Sequence, residues 1–285
     1  MQSKTQPEQA QPSIPEGEIG GRPSRRSFLR HSVIAGAATM LPLAGLVTGA
    51  KSASASSGSD ITPGDVAILR FLAAAEIIES DLWLQYAELG GTQDNELPGL
   101  TGGNPIYTRA LKKLDGDMPQ YIHDNTEDEF SHWFFINAFL MSKGLEPVNL
   151  DAFRTLPSST APGAQPIGRL TNLMQLTVDT SWWTRYRSRT VNPDLDPDFV
   201  FPQAVPSLSN GQFPAIPRDK SDLMSHDHIQ AIANTAGFHF AFIEQGGSSL
   251  YHGLAQKVTS AEVLQILLGI GPVETSHFQT WHDKA

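Results

Sequence analysis

Glu129-Phe130-Ser131-His132 and Glu274-Thr275-Ser276-His277 are two copies of one tetrad, Glu-x-x-His. At about 100° per residue, three helical positions bring the second side chain to within about 60° of the first, so each tetrad presents a carboxylate and an imidazole on one face. The neighbours on that face carry the information. Steps of three and four from Glu129 reach Ile122, Trp133, Ile136 and Leu140, and those from Glu274 reach Leu267, Ile270, Phe278 and Trp281. A charged group inside an apolar, core-facing stripe is costly unless it is paired or bound to a cation.

Two more segments repeat the theme with a single acid. Glu76 stands among Leu69, Leu72, Ala73 and Trp83, and Glu244 among Phe240, Ala241, Gly247 and Tyr251. Each has an aromatic residue seven positions on, Trp83 and Tyr251. Working outward, Thr62-Pro63 opens a first helix that stops at Gly90-Gly91. A Gly/Pro/Asn-rich loop and a short helical piece near Tyr107 to Leu114 lead to a second helix, about Asp117 to Gly144. A third spans roughly His228 to Lys257, and the fourth opens on Thr259-Ser260-Ala261-Glu262, which reads as a capping box. No period-2 alternation is long enough for a sheet. The fold class is all-α, a four-helix bundle.

Between the second and third helices lie residues 145–225, which hold ten of the twenty prolines. Such a segment cannot be a continuous helix. Leu170, Leu173, Met174, Thr177 and Val178, followed by Trp182, Trp183 and Tyr186, predict a helix within Arg169 to Arg189 on the outside of the bundle, with extended coil around it. A connection of this length suits two parallel helices, because the chain must return along the whole bundle; the short loops elsewhere imply antiparallel neighbours.

The chain has 285 residues, 40% hydrophobic and 18% charged, and no cysteine. It is long enough for a large core. Without Cys there is no zinc ribbon, iron–sulfur cluster, disulfide or thiol nucleophile, so any metal must rest on His, Asp or Glu. The net charge of −10 is the wrong sign for a surface that tracks phosphates, which makes nucleic acid an unsuitable partner.

Four helices thus supply six ligands: Glu76, Glu129, His132, Glu244, Glu274 and His277. Oxygen donors that can bridge, with one imidazole at either end, suit two Fe or Mn ions. Glu79 lies one turn from Glu76, on nearly the same face, and Glu79, Trp83, Tyr251 and His252 are expected to support the ligands. Glu127 and Asp128 read as solvated helix surface. His123, His226, His228, His239 and His282 fall off the Glu-bearing stripes and read as surface or locally hydrogen-bonded residues.

One Glu from each of two helices and one Glu-x-x-His from each of the others is an arrangement that resembles the ferritin-like superfamily. More narrowly, FIEQGGSSLYHGLA (242–255) and LLGIGPVETSHF (267–278) are similar to helices of exported bacterial ferritin-like proteins related to plant desiccation-associated proteins. The resemblance covers about Pro63 to Gly144 and His228 to the end, and leaves the crossover unexplained. Two features depart from it. Pro272, two residues before Glu274, predicts a kink or a wider turn, and the eight residues after His277 predict a short last helix. Either would displace the fourth-helix ligands.

Ahead of the bundle, Ser24-Arg25-Arg26-Ser27-Phe28-Leu29-Arg30 precedes a moderately apolar stretch, Val33 to Ala50, and then Ala53-Ser54-Ala55. This resembles a twin-arginine export signal cleaved after Ala55, with Arg30 where the pattern usually has Lys. It divides the chain into a signal, 1–55, and a ferritin-like domain, 56–285, with the crossover inserted at 145–225. Removing the signal takes away six basic and three acidic residues and leaves a net charge of −13. The implied location is periplasmic or extracellular, with the twin-arginine machinery, which carries folded proteins, as a partner. The implied activity is oxidoreduction of dioxygen, peroxide or Fe(II) in stress protection. The alternative is a non-catalytic ferritin-like scaffold of the envelope or desiccation response, which would offer Trp182, Trp183 and Tyr186 to a partner.

Overall fold

The structure is a computed structural model that describes residues 61–285 apart from 95, 98, 99, 101, 186, 193 and 194. The expected export signal, its cleavage position and Tyr186 lie outside the described residues. Four long helices form the bundle: α1 (Pro63–Gly90), α3 (Met118–Ser142), α6 (His226–Ala255) and α7 (Ala261–Lys284), with a short α2 (Pro105–Leu111) between the first two. No strand occurs among the described residues, in which Leu156 and Arg169 form an isolated bridge. No helix among them is long and apolar enough to cross a membrane.

Capping explains where the helices begin. Thr62 Oγ1 accepts from Asp65 N at 3.2 Å, and Asp65 Oδ2 accepts from Thr62 N at 3.4 Å, a capping box. Asp65 also accepts from Thr259 N at 2.8 Å and Thr259 Oγ1 at 2.7 Å, tying the start of α1 to the α6–α7 loop. This corrects the expected box at Thr259. Ser260 caps α7 by accepting from Val263 N, while Glu262 pairs with Lys143 at 2.6 Å.

Contacts along the helices set their directions. Thr126 Oγ1 donates to Trp83 O, and Thr92 N to Pro119 O, so α1 and α3 are antiparallel neighbours. Tyr86 meets His239 and Tyr251 meets Glu76, so α1 and α6 are antiparallel as well. It follows that α3 and α6 run parallel, and the long crossover between them returns the chain to the opposite end.

The crossover holds two short helices, α4 (Trp182–Arg185) and α5 (Pro206–Ser209), and two 3₁₀ turns, Asp151–Phe153 and Lys220–Leu223. The longer helix expected within Arg169 to Arg189 is reduced to the four residues of α4. Its apolar spacing has another cause. Leu173, Val178 and Trp182 are buried by coil that follows the bundle surface, with Trp182 edge-on to Phe278 and near Phe238. Trp182 is therefore core, not a docking surface.

Buried polar groups of α1 staple this coil. Asp81 accepts from Leu170 N (3.0 Å), Thr171 N (2.9 Å), Thr171 Oγ1 (2.8 Å) and Arg154 Nη1 (2.7 Å). About two turns further on, Arg169 Nη2 donates to both oxygens of Glu88 at 2.6 Å, and the arginine is fully buried. Irregular backbone can be buried only where its N–H groups find such acceptors. Glu88→Ala leaves the Arg169 guanidinium without its counter-charge, and denaturant unfolding should show a loss of about 3–5 kcal/mol. A loss below about 1 kcal/mol would mean that the pair does not anchor the crossover.

Candidate metal centre

Two apolar clusters fill the bundle, one built around Trp83, Phe240 and Trp281, the other around Leu69, Leu72, Ile136, Leu140 and Leu267. Between them lies a polar layer. The structure brings Glu76 (α1), Glu129 and His132 (α3), Glu244 (α6), and Glu274 and His277 (α7) into it, and the four carboxylates are at most 2% exposed.

The six side chains form two groups. Glu76, Glu129, His132 and Glu274 can bring one ligand atom each within 4.8 Å of the others, and so can Glu129, Glu244, Glu274 and His277. Glu129 and Glu274 belong to both. Glu129 Oε2 lies 3.1 Å from His132 Nδ1, and its other oxygen lies 3.0 Å from His277 Nδ1. His132 Nδ1 is also 2.9 Å from Glu274 Oε1 and 3.4 Å from Glu76 Oε2, and His277 Nδ1 is 3.3 Å from Glu244 Oε2.

These contacts are not a closed hydrogen-bond network. One imidazole N–H cannot serve three carboxylates, and Glu76 Oε2, Glu244 Oε2, both oxygens of Glu274 and His277 Nδ1 are buried without a hydrogen-bond partner. Four carboxylates and two neutral imidazoles carry a charge that two divalent cations cancel. The orphaned atoms, their convergence and their mixed N/O chemistry fit metal binding.

The groups around the ligands orient them. The Tyr251 hydroxyl donates to Glu76 Oε1. Asn125 Nδ2 donates to Glu129 Oε1 and Glu244 Oε1, at 3.0 Å each, and Trp281 Nε1 donates to Asn125 Oδ1 at 2.7 Å. Trp83 stacks on Trp281 at 5.2 Å and on Phe240 at 5.1 Å, so it supports that aromatic layer. His277 Nε2 donates to Asp128 Oδ2 at 3.2 Å, which leaves Nδ1 facing the centre. The sequence reading missed Asn125 and Asp128. Asn125 lies four residues before Glu129, on the same stripe, and that spacing was the available signal. Asp128 looks solvated until α7 is docked against α3.

Several expectations are corrected. His252 is exposed and bonds to the Ser248 carbonyl; eight positions rotate it about 80° from Glu244, away from the centre. Glu127 is half-buried and not a solvated residue: burial pushes its carboxyl up to about 7, against the pull of His123. His123 and His239 are buried. His239 meets Tyr86 Oη at 2.6 Å from a distant helix, and burial holds its pKa down to about 3. Pro272 does not displace the ligands, because α7 runs through it to Lys284. The carbonyl it leaves unpaired is that of the exposed Leu268, where water can reach it. At 24 residues α7 is not short.

Space for Glu274 comes from Gly247. A Cβ there would stand 2.0 Å from Glu274 Oε2 and 2.9 Å from its Cδ. Gly247→Ala should therefore push the carboxylate aside and lower metal uptake in elemental analysis, with little change in helix content by circular dichroism. Unchanged uptake would show that the close approach is immaterial.

Protonation follows from the same crowding. Burial, opposed by His132, pushes the Glu76 carboxyl up to about 7; burial and the charge of Glu129 push Glu244 up to about 8. Burial also crowds Glu79, one turn from Glu76, and the fields of Glu129, Glu274, Glu244 and Glu76 help to push it well above its ordinary value. For His132, burial works downward and is overcome by Glu129; for His277, it is overcome by Glu244. All these pKa values are raised above their unfolded values, so the metal-free fold binds more protons than the unfolded chain, and its stability falls as pH rises. The window opens near 4.5 for the carboxylates and near 6.5 for the imidazoles. The Tm of metal-free protein should decline between pH 5 and pH 8, and Mn(II) should raise it more at pH 8 than at pH 6. A flat or rising profile contradicts this charge assignment.

Among proteins already classified, a family model described as a ferritin-like domain matches residues 64–284. No curated protein and no solved structure matches the chain. The match takes in all four bundle helices and both Glu-x-x-His tetrads, and the chain belongs to the ferritin-like domain family.

Proposed function

We propose that this protein is an exported di-metal carboxylate oxidoreductase that binds two Fe or Mn ions and acts on dioxygen, peroxide or Fe(II) in stress protection. The observation that carries the reading is the sharing of Glu129 and Glu274 between two four-residue groups, which would let two neighbouring metals share carboxylates. Glu76 and His132 would complete one position, Glu244 and His277 the other. Bound iron or manganese would supply two-electron chemistry toward oxygen or peroxide.

The chain's own residues do the rest. Tyr251 and Asn125 hold the carboxylates of Glu76, Glu129 and Glu244 in place, and Asp128 fixes the tautomer of His277. The apolar clusters on both sides keep bulk water out. His277 is the most exposed of the six side chains, at 11%, so small molecules would approach from its edge of the bundle. The absence of cysteine leaves the substrate, Fe(II) itself or an external donor to supply electrons.

Export rests on Arg25-Arg26 and the segment after it, and a twin-arginine route would let the protein fold and load its metals before it crosses to the periplasm or beyond. The likeness of 242–255 and 267–278 to the desiccation-associated branch supports a stress role.

Metal content tests the reading. The purified protein should hold about two Fe or Mn per chain. Glu129→Ala should lose both, because that carboxylate is common to the two positions, and peroxide or Fe(II) turnover should fall with metal. Protein that takes up no metal, with stability unaltered by Glu129→Ala or His277→Ala, would favour a ferritin-like scaffold instead. Arg25→Lys with Arg26→Lys should retain the protein in the cytoplasm.

A further inference from the structure

Six residues before Glu129, α3 carries a histidine that the centre does not use. His123 is 1% exposed, and its Nε2–H donates to Asp94 Oδ1 at 3.1 Å. With the proton on Nε2, the Nδ1 lone pair faces outward from the ring, and no hydrogen-bond donor reaches it. The nearest charged atom is another acceptor, Asp124 Oδ1, at 3.6 Å. Glu127 Oε1, one turn along the helix, is likewise buried without a hydrogen bond of its own, although the Glu127 carboxyl group also interacts with Glu96.

His123, Asp124 and Glu127 can each bring a ligand atom within 4.8 Å of the others. Three acceptors turned toward one another repel unless a proton or a cation lies between them. With bonds of about 2.1 Å, the ligand atoms of a tetrahedral site stand about 3.4 Å apart, close to the separation of Nδ1 and Asp124. Asp124 also accepts from Gln120 Nε2 at 2.7 Å. Its side chain is 58% exposed, so the group opens to solvent and water can complete the coordination. Asp94 stands to His123 as Asp128 stands to His277: a carboxylate takes the Nε2 proton and leaves Nδ1 free for a metal.

We propose that His123 Nδ1, Asp124 and Glu127 form a separate, solvent-facing site for a single divalent transition-metal ion, with Asp94 orienting the imidazole. One nitrogen and two carboxylates suit Mn(II), Fe(II) or Zn(II), and the imidazole argues against Ca(II). The site stands on geometry apart from the buried centre and does not require that centre to be loaded.

Mn(II) titration of metal-stripped full-length protein, followed by electron paramagnetic resonance, separates the two. In a Glu129→Gln, Glu274→Gln background one Mn(II) per chain should remain, with the six-line spectrum of an isolated ion. Adding Asp124→Asn and Glu127→Gln should weaken its binding by about 10-fold or more. In the wild-type background the same two changes keep side-chain shape at exposed or half-buried positions. They should remove the isolated-ion signal and leave Mn(II) binding at the buried centre unchanged. No Mn(II) bound in the first background, or binding indifferent to Asp124→Asn and Glu127→Gln in either, overturns the proposal.

Discussion

Four carboxylates and two imidazoles are buried in one layer between two apolar clusters, and the rest of the structure accommodates that layer. Isolated charges in such surroundings are too costly to keep, and the groups cannot satisfy each other, because two imidazoles bring too few N–H donors for four carboxylates. What remains is to share protons or to share cations. The raised carboxyl groups of Glu76 and Glu244 show the strain of the first solution. The orphaned oxygens of Glu274, which point into the layer, favour the second.

The layer sets demands on its neighbours that hydrophobic packing alone would not. A helix without a Cβ at Gly247 admits Glu274, an amide at Asn125 joins Glu129 to Glu244, and Trp281 orients that amide from the aromatic cluster. Asn125 is buried but not isolated, since both its donor and its acceptor are used. The same economy appears in the crossover, where Asp81 and Glu88 on α1 receive backbone and guanidinium donors from a segment with little secondary structure of its own. Carboxylates thus serve two ends in this fold: along one face of α1 they gather coil, and along another they face the centre.

Periodicity made the four helices and their stripes readable, because a core-facing helix must repeat its apolar residues every three or four positions. An acid in that stripe then stands out against its neighbours, which is how Glu76, Glu129, Glu244 and Glu274 were legible from local sequence. The crossover was not. Leu170, Leu173 and Val178 match helical spacing, yet the burial of Leu173 and Val178 comes from lying against other elements, and the N–H groups of Leu170 and Thr171 go to Asp81 and that of Val178 to Leu208 O instead of to carbonyls one turn back. His252 failed for a related reason: expected close to the stripe of Glu244, it stands about 80° round α6 from that residue, on an exposed face.

By itself, the order of residues determined the four bundle helices, which face of each is apolar, and which six side chains share those faces, because these are consequences of a fixed rotation per residue. Only the tertiary structure decided that the two groups share Glu129 and Glu274, that Asp128 holds His277, and that Asp94 reaches His123. Each of those contacts joins residues far apart in the chain or on different helices, and its distance depends on how the helices are rotated and staggered against one another, which no local spacing encodes.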